Sequence, residues 1–180
     1  MSRIYTEHDP PMIGGWPASV YAAFVNHDHD LPTPRSRREA LRLVSLDDPV
    51  PDHALLRQVF EYEMDWRESP EEGVDDEFEN IYLCAFLLFV VGDPADSRLL
   101  YRAKFGTGDF DLAAGFDAQA IFGAGRSETL QWLATNGFAN EHARLTEWLA
   151  RWEDPTIENW AEFRRGYFYS PGGELLLDPL

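Results

Sequence analysis

Residues 81–91 read IYLCAFLLFVV, a run of eleven positions without a charged side chain. A helix that crosses a membrane needs about 20 apolar residues, so this run predicts a shorter helix buried in a protein core. Gly92 follows it, as glycine commonly follows the last turn of a helix. The approach to the run carries negative charge, which the positive end of the helix dipole favours, at Asp75, Asp76, Glu77 and Glu79.

A second helix is predicted just upstream, over residues 52–66. Apolar side chains there recur at the i, i+4, i+7 and i+11 spacing of one helical face, at Leu55, Val59, Tyr62 and Trp66, with Leu56 and Phe60 beside them. The opposite side carries Glu61, Glu63 and Asp65. We therefore expect an acidic surface that begins on this helix and continues through a loop over residues 68–76.

Start signals predict further helices along the chain. A polar cap followed by proline occurs at Thr33-Pro34, at Asp93-Pro94 before a helix to about Lys104, and at Asp154-Pro155. After the last of these, one apolar face is predicted from Ile157, Trp160, Ala161 and Phe163. Residues 127–135 predict another helix, with Ser127 as its cap and Asn136-Gly137 at its end.

The spacing of large apolar side chains over residues 145–152 predicts a helix central to stability. Its face consists of Leu145, Trp148, Leu149 and Trp152. Residues 106–125 are rich in glycine and predict a loop with short helical turns. Strand alternation is not sustained anywhere, and only residues 20–25 and 175–177 are strand candidates.

These elements predict an all-α fold of about seven helices in one domain. Short connections between successive helices favour an antiparallel bundle or a short solenoid-like stack of helix pairs. No linker divides residues 1–180, and residues 1–34 are expected to form a loop-rich arm.

Net charge narrows the choice of partners. The chain has 32 Asp and Glu against 15 Lys and Arg, a net charge of −17. Nucleic acids and anionic membranes would repel it, so we expect neither as a partner and favour a basic protein instead. Cys84 is the only cysteine, lies in the apolar run and is expected in the core, which fits a reducing cytoplasm. The first thirty residues lack the pattern of a signal peptide, so we expect a cytoplasmic protein.

The sequence contains no recognisable motif for catalysis, metal binding or cofactor binding. The segment His27-Asp28-His29-Asp30 offers metal-ligand types but is expected to be a solvated loop. The pair Gly106 and Gly108 begins a dinucleotide fingerprint but has Asp111 at the third glycine position. We therefore predict no catalytic residue, no metal and no cofactor.

The acidic segment remains the strongest functional signal. Residues 61–79 hold ten carboxylates and one base, Arg67. A charged face of this kind often only keeps a protein soluble, but here the acids flank Tyr62, Trp66 and Phe78, and aromatic anchors ringed by charge are typical of tight interfaces. The predicted partner-binding residues are Glu61, Tyr62, Glu63, Asp65, Trp66, Glu68, Glu71, Glu72, Asp75 and Asp76.

Small size, acidity, few cysteines and the lack of a catalytic motif together resemble the immunity proteins with which bacteria neutralise their own cationic toxins. The resemblance implies a non-catalytic protein that docks an acidic, aromatic-bearing face onto a toxin. Fourteen of the fifteen bases are Arg, which is typical of a GC-rich bacterial genome. Two alternatives stay open: a helical scaffold or adaptor for peptides or partner helices, and an enzyme that works through carboxylates.

Overall fold

The computed structural model describes residues 12–13, 16–17, 33–70, 77–151 and 156–177. Eight α-helices lie in these ranges: α1 Pro34–Leu43, α2 His53–Glu68, α3 Asn80–Val91, α4 Asp96–Tyr101, α5 Phe110–Gly115, α6 Arg126–Thr135, α7 Ala139–Ala150 and α8 Thr156–Phe168. Two 3-10 turns, Val50–Asp52 and Ala118–Phe122, and a π-helical turn, Arg102–Gly106, lie between them. The predicted all-α class is confirmed.

Two short strands precede the helices. β1 Met12–Ile13 and β2 Trp16–Pro17 pair antiparallel, with Met12 opposite Pro17 and Ile13 opposite Trp16. The strand candidate at 175–177 contributes a single antiparallel bridge between Leu175 and Tyr169. The candidate at 20–25 lies outside the described residues.

Helix α3 is the buried centre of the protein, as the apolar run predicts. It contacts α1, α2, α8 and the 3-10 turn Ala118–Phe122, which explains why apolar side chains occupy all of its sides. Gly92 ends α3 in the left-handed conformation, with φ 73°. Gly123 lets the 3-10 turn approach α3, because a Cβ there would lie 2.6 Å from the carbonyl oxygen of Phe89.

The start signals are confirmed in two places and corrected in a third. Thr33 caps α1, since its Oγ1 accepts a hydrogen bond from the Ser36 backbone N–H. Asp93 accepts the N–H of Ala95, and α4 then passes into the π-helical turn. Helix α6 is not capped by Ser127: the chain turns at Gly125, with φ 89°, so α6 begins at Arg126. Residues 154 and 155 lie outside the described ranges.

The helix predicted over residues 145–152 is present as part of α7. Leu145 is its one buried side chain, while Trp148 and Leu149 are half-buried against the core and residue 152 is outside the described ranges. Trp148 stacks on the buried ring of Phe122, and the central part of α7 in stability stays a prediction. The prediction of short helical turns over residues 106–125 is confirmed by α5 and the second 3-10 turn.

Candidate functional site

Three of the predicted partner-binding acids form one exposed row on α2. Glu61, Asp65 and Glu68 are spaced i, i+4 and i+7, so they share a helical face, and all three are exposed. None of the three forms an ion pair with another of the described residues. We call Glu61, Asp65 and Glu68 the acidic stripe.

Glu63 is not on that surface, contrary to the sequence prediction. Its side chain is fully buried between α1 and α3, and Arg37 Nε donates to Glu63 Oε1 at 2.5 Å. Asn80 Nδ2 donates to the same oxygen at 2.9 Å. Burial raises the pKa of the Glu63 carboxyl, and the Arg37 guanidinium opposes that rise.

Glu63 belongs to a polar cluster inside the protein, which consists of Arg37, Arg38, Glu63, Glu77 and Asn80. Arg38 Nε donates to Asn80 Oδ1 at 2.5 Å, and Arg38 Nη2 lies 2.8 Å from Glu77 Oε2. Asn80 also donates to the backbone carbonyl of Pro34 at 2.8 Å. This buried cluster ties α1 to α2 and α3, so its role is to hold the helices together.

The predicted aromatic anchors on α2 also face inward. Trp66 is 4% exposed and lies beneath Arg37, whose guanidinium carbon is 5.6 Å from the indole ring centroid. Tyr62 is half-buried and packs on the core. Both residues therefore serve stability, because the apolar face of α2 that they share is the one that meets the rest of the protein. Glu71, Glu72, Asp75 and Asp76 lie outside the described residues.

Exposed aromatic side chains do occur elsewhere: Phe110 stands alone on α5, and a group of three lies on α8 and in the turn before α3. Phe163 is 64% exposed, and Phe78 and Tyr167 are each 44% exposed. Phe163 stacks on Tyr167 with ring centroids 6.3 Å apart, and Phe78 contacts Tyr82 at 5.2 Å. We call Phe78, Tyr82, Phe163 and Tyr167 the aromatic patch.

Arg164 joins the two halves of the aromatic patch. Its guanidinium carbon lies 5.6 Å from the Tyr82 ring and 5.7 Å from the Tyr167 ring. Asp117 holds this arginine, because its Oδ2 accepts from Arg164 Nε at 2.9 Å and from Trp160 Nε1 at 2.8 Å. The rings of Tyr82 and Tyr167 therefore pack around the Arg164 guanidinium, whose charge Asp117 largely neutralises.

Arg67 connects the aromatic patch to the end of α2, where the acidic stripe finishes at Glu68. The Arg67 guanidinium, next to Glu68 in the chain, lies 4.4 Å from the Phe78 ring centroid. At the other side, the Tyr167 hydroxyl donates to the Glu79 carboxylate, and this bond raises the pKa of Tyr167. Arg67 and Glu79 thus each contact one ring of the aromatic patch.

The sequence pattern predicts Phe163 on the apolar face of α8, but the structure places Phe163 and Tyr167 outside it. Trp160, Arg164 and Phe168 occupy the inner face of α8 at i, i+4 and i+8, so Phe163 and Tyr167 fall on the neighbouring outer face. The i, i+4 spacing of Phe163 and Tyr167 was the sequence signal for this outer face. Phe163 is also at i+3 from Trp160, and that spacing wrongly predicts it on the inner face.

Other kinds of site find less support among the described residues. Over those ranges, no three His, Cys, Asp or Glu side chains are grouped as a metal site, and His27 to Asp30 lie outside them. Cys84 is buried as expected, and burial raises the pKa of its thiol well above the usual value. No helix among the described residues has both the length and the apolar character that a membrane crossing requires.

The candidate site thus consists of the aromatic patch and the acidic stripe, with Arg67 between Glu68 and the ring of Phe78. Phe78, Phe163, Tyr167 and the three acids of the stripe are all exposed. No protein-family model, curated protein or solved structure matches this chain.

Proposed function

We propose that this protein binds a basic protein partner through the aromatic patch and the acidic stripe. The observation that carries the proposal is the exposure of Phe78, Phe163 and Tyr167 in one cluster joined through Tyr82 and Arg164, with Arg67 linking Phe78 to the end of α2. Contiguous apolar surface on a protein commonly marks an interaction site, and aromatic side chains dominate the energy of such sites. The rings supply affinity and the carboxylates supply orientation.

Charge indicates the kind of partner. A net charge of −17 repels acidic proteins and attracts basic ones, and it accelerates their encounter at low salt. Glu61, Asp65 and Glu68 have no arginine partner among the described residues, so their charge remains available to a partner. This profile supports an immunity function, in which the surface covers a cationic toxin domain in a reducing cytoplasm.

Both alternative functions differ from this proposal in measurable ways. A scaffold for apolar helices would bind with little dependence on salt, since burial of apolar surface does not rely on unscreened charge. A carboxylate enzyme needs an acid of raised pKa that substrate reaches. Glu63 is a carboxylate whose pKa burial raises, but it is sealed between helices and paired with Arg37.

Removal of two exposed rings is expected to weaken binding. The partner would be identified by affinity capture from the native host and purified, and its Kd measured by titration calorimetry. We expect Phe163→Ala with Tyr167→Ala to raise the Kd about 30-fold, the loss typical of an interface anchor. Val50→Ala is the matched control: Val50 is 59% exposed and precedes α2 at the end opposite Arg67. Equal Kd values for the two variants would refute a docking role for the aromatic patch.

Charge reversal in the acidic stripe is expected to slow association. Asp65→Lys with Glu68→Lys should lower the association rate constant about tenfold at low salt, because both acids steer a basic partner, and added salt should shrink the difference. Stopped-flow mixing with the captured partner measures this rate. The control is Glu141→Lys with Glu147→Lys on α7, which changes net charge equally at another place. If both pairs slow association equally, overall charge rather than the acidic stripe attracts the partner.

A further inference from the structure

A second polar site lies where α2 faces α4 and the π-helical turn. It is an open groove of about 490 Å³, lined by Arg57, Glu61, Asp96, Arg98, Leu99 and Arg102 among others. Three of the fifteen basic residues of an acidic chain meet in this groove. We call it the arginine groove.

Arg57 is fixed and neutralised by acids beneath the groove. Its Nε donates to Asp96 Oδ1 at 2.5 Å, and its Nη2 donates to Asp93 Oδ2 at 3.1 Å. Asp96 is only 2% exposed, and its second oxygen lies 2.7 Å from His53 Nε2. Both carboxylate oxygens of Asp96 are therefore engaged, one by Arg57 and one by His53. Among the described residues, Arg98 and Arg102 have no carboxylate partner.

Arg98 and Arg102 supply the free positive charge. They are spaced i, i+4 along α4 and the π-helical turn, where like charges repel each other. Within the described part of the chain, neither arginine forms an ion pair or a side-chain hydrogen bond. The Arg98 guanidinium carbon lies 4.4 Å from the Phe138 ring centroid, a cation–π contact that restrains the group without pairing its charge with a carboxylate.

We propose that the arginine groove binds a small oxyanion, a carboxylate or phosphate group held by Arg98 and Arg102. The planar fork of a guanidinium matches both groups in two-point hydrogen bonds, and an anion between the two arginines removes their mutual repulsion. Leu99 offers an apolar contact for a short aliphatic part of the ligand. Glu61 lines the same groove and opposes an anion, so it limits affinity.

The test follows the arginine Nε–Hε signals of the full ¹⁵N-labelled chain during titration with inorganic phosphate and, separately, with butanoate. We expect saturable shifts at the signals of Arg98 and Arg102. Arg98→Gln with Arg102→Gln should raise the Kd about tenfold or more, since charge-assisted hydrogen bonds are lost. Glu61→Gln should lower the Kd, because it removes the opposing charge. Tighter binding of phosphate or of butanoate decides which oxyanion the groove prefers.

Arg35→Gln serves as the control, because Arg35 is exposed on α1 and outside the groove. If the double variant binds phosphate and butanoate no more weakly than Arg35→Gln does, the protein attracts an adventitious ion only and the proposal fails. A higher Kd for Glu61→Gln, or shifts that never saturate, would also overturn it. The substituted arginines lie outside the aromatic patch and the acidic stripe. Glu61 belongs to both the acidic stripe and the arginine groove, but its variant is titrated here only with small anions, so this outcome is independent of partner binding.

Discussion

Arg37→Met should destabilise the protein by about 3–5 kcal/mol, because it leaves the Glu63 carboxylate buried without its partner. Both side chains have no exposed surface, and Arg37 Nε lies 2.5 Å from Glu63 Oε1. The substitution also removes the cation above Trp66. Methionine fills much of the volume of the arginine side chain. The loss of stability therefore comes from the unpaired Glu63 charge more than from a cavity. Urea denaturation at pH 7 measures the change in the free energy of unfolding.

Two further variants show whether the pair itself is responsible. Arg37→Met with Glu63→Gln should recover more than half of the loss, since the amide keeps an acceptor for Asn80 and carries no charge. Arg151→Met breaks an exposed i, i+4 pair with Glu147 and should cost no more than about 0.5 kcal/mol. An Arg37→Met loss as small as the Arg151→Met loss would contradict the buried-pair argument.

The contribution of Glu63 to the stability of the protein should change with pH in one direction. Burial raises the pKa of Glu63 above its ordinary value of 4.5, so the folded state holds this proton more tightly than the unfolded state does. Its contribution to stability is therefore most favourable below the unfolded pKa and is lost as pH rises through the folded pKa. Without Arg37 the folded pKa rises further, so the cost of Arg37→Met should be larger at pH 7 than at pH 5.

Local signals in the sequence were sufficient for several of the helices. The run at residues 81–91 predicts α3 and its end at Gly92, because length, apolarity and glycine are all local properties. Thr33 before Pro34 predicts the start of α1 for the same reason, since a cap contacts its own first turn. The depth of each side chain in the core was harder to predict: on α7 only Leu145 is buried, while Trp148 and Leu149 are half-buried.

The candidate site was only partly predictable, because burial on α2 depends on distant residues. Glu61, Glu63 and Asp65 look alike in sequence, yet the partner of Glu63 is Arg37, 26 residues earlier. The aromatic patch likewise combines Phe78 with Phe163 and Tyr167, which come together only when α8 packs on α3. Helical periodicity describes one helix at a time and carries no information on such pairings.

The arginine groove was hidden for a different reason. Net charge is a sum over the chain, and a value of −17 conceals a place where arginines outnumber acids. Arg57 comes from α2, while Arg98 and Arg102 come from α4 and the π-helical turn. Spatial convergence of separate elements creates the groove, so composition could not reveal it.

Phe86→Ala is expected to destabilise the protein by about 3–5 kcal/mol, the usual cost of truncating a buried phenylalanine. Phe86 is 2% exposed, and its ring centroid lies 6.3 Å from that of Trp160 and 6.1 Å from that of Phe168. These contacts hold α8 on α3. A cavity at Phe86 removes the contacts that position α8, so α8 should also lose protection from amide hydrogen exchange more than α6 does. Urea denaturation and hydrogen exchange measure the two effects.

Phe163→Ala provides the contrast that separates stability from binding. Phe163 is 64% exposed on the same helix, so its loss should change the free energy of unfolding by no more than about 0.5 kcal/mol. If the ring of Phe86 is the main contact that holds α8, Phe86→Ala should weaken partner binding indirectly. Lowering the temperature away from the melting point stabilises the folded state, so it should restore part of the lost affinity. The binding loss from Phe163→Ala should persist at low temperature, because it removes a contact rather than the helix. A Phe86→Ala protein as stable as Phe163→Ala would show that other contacts hold α8, and the rigidity of the aromatic patch would then need a different origin.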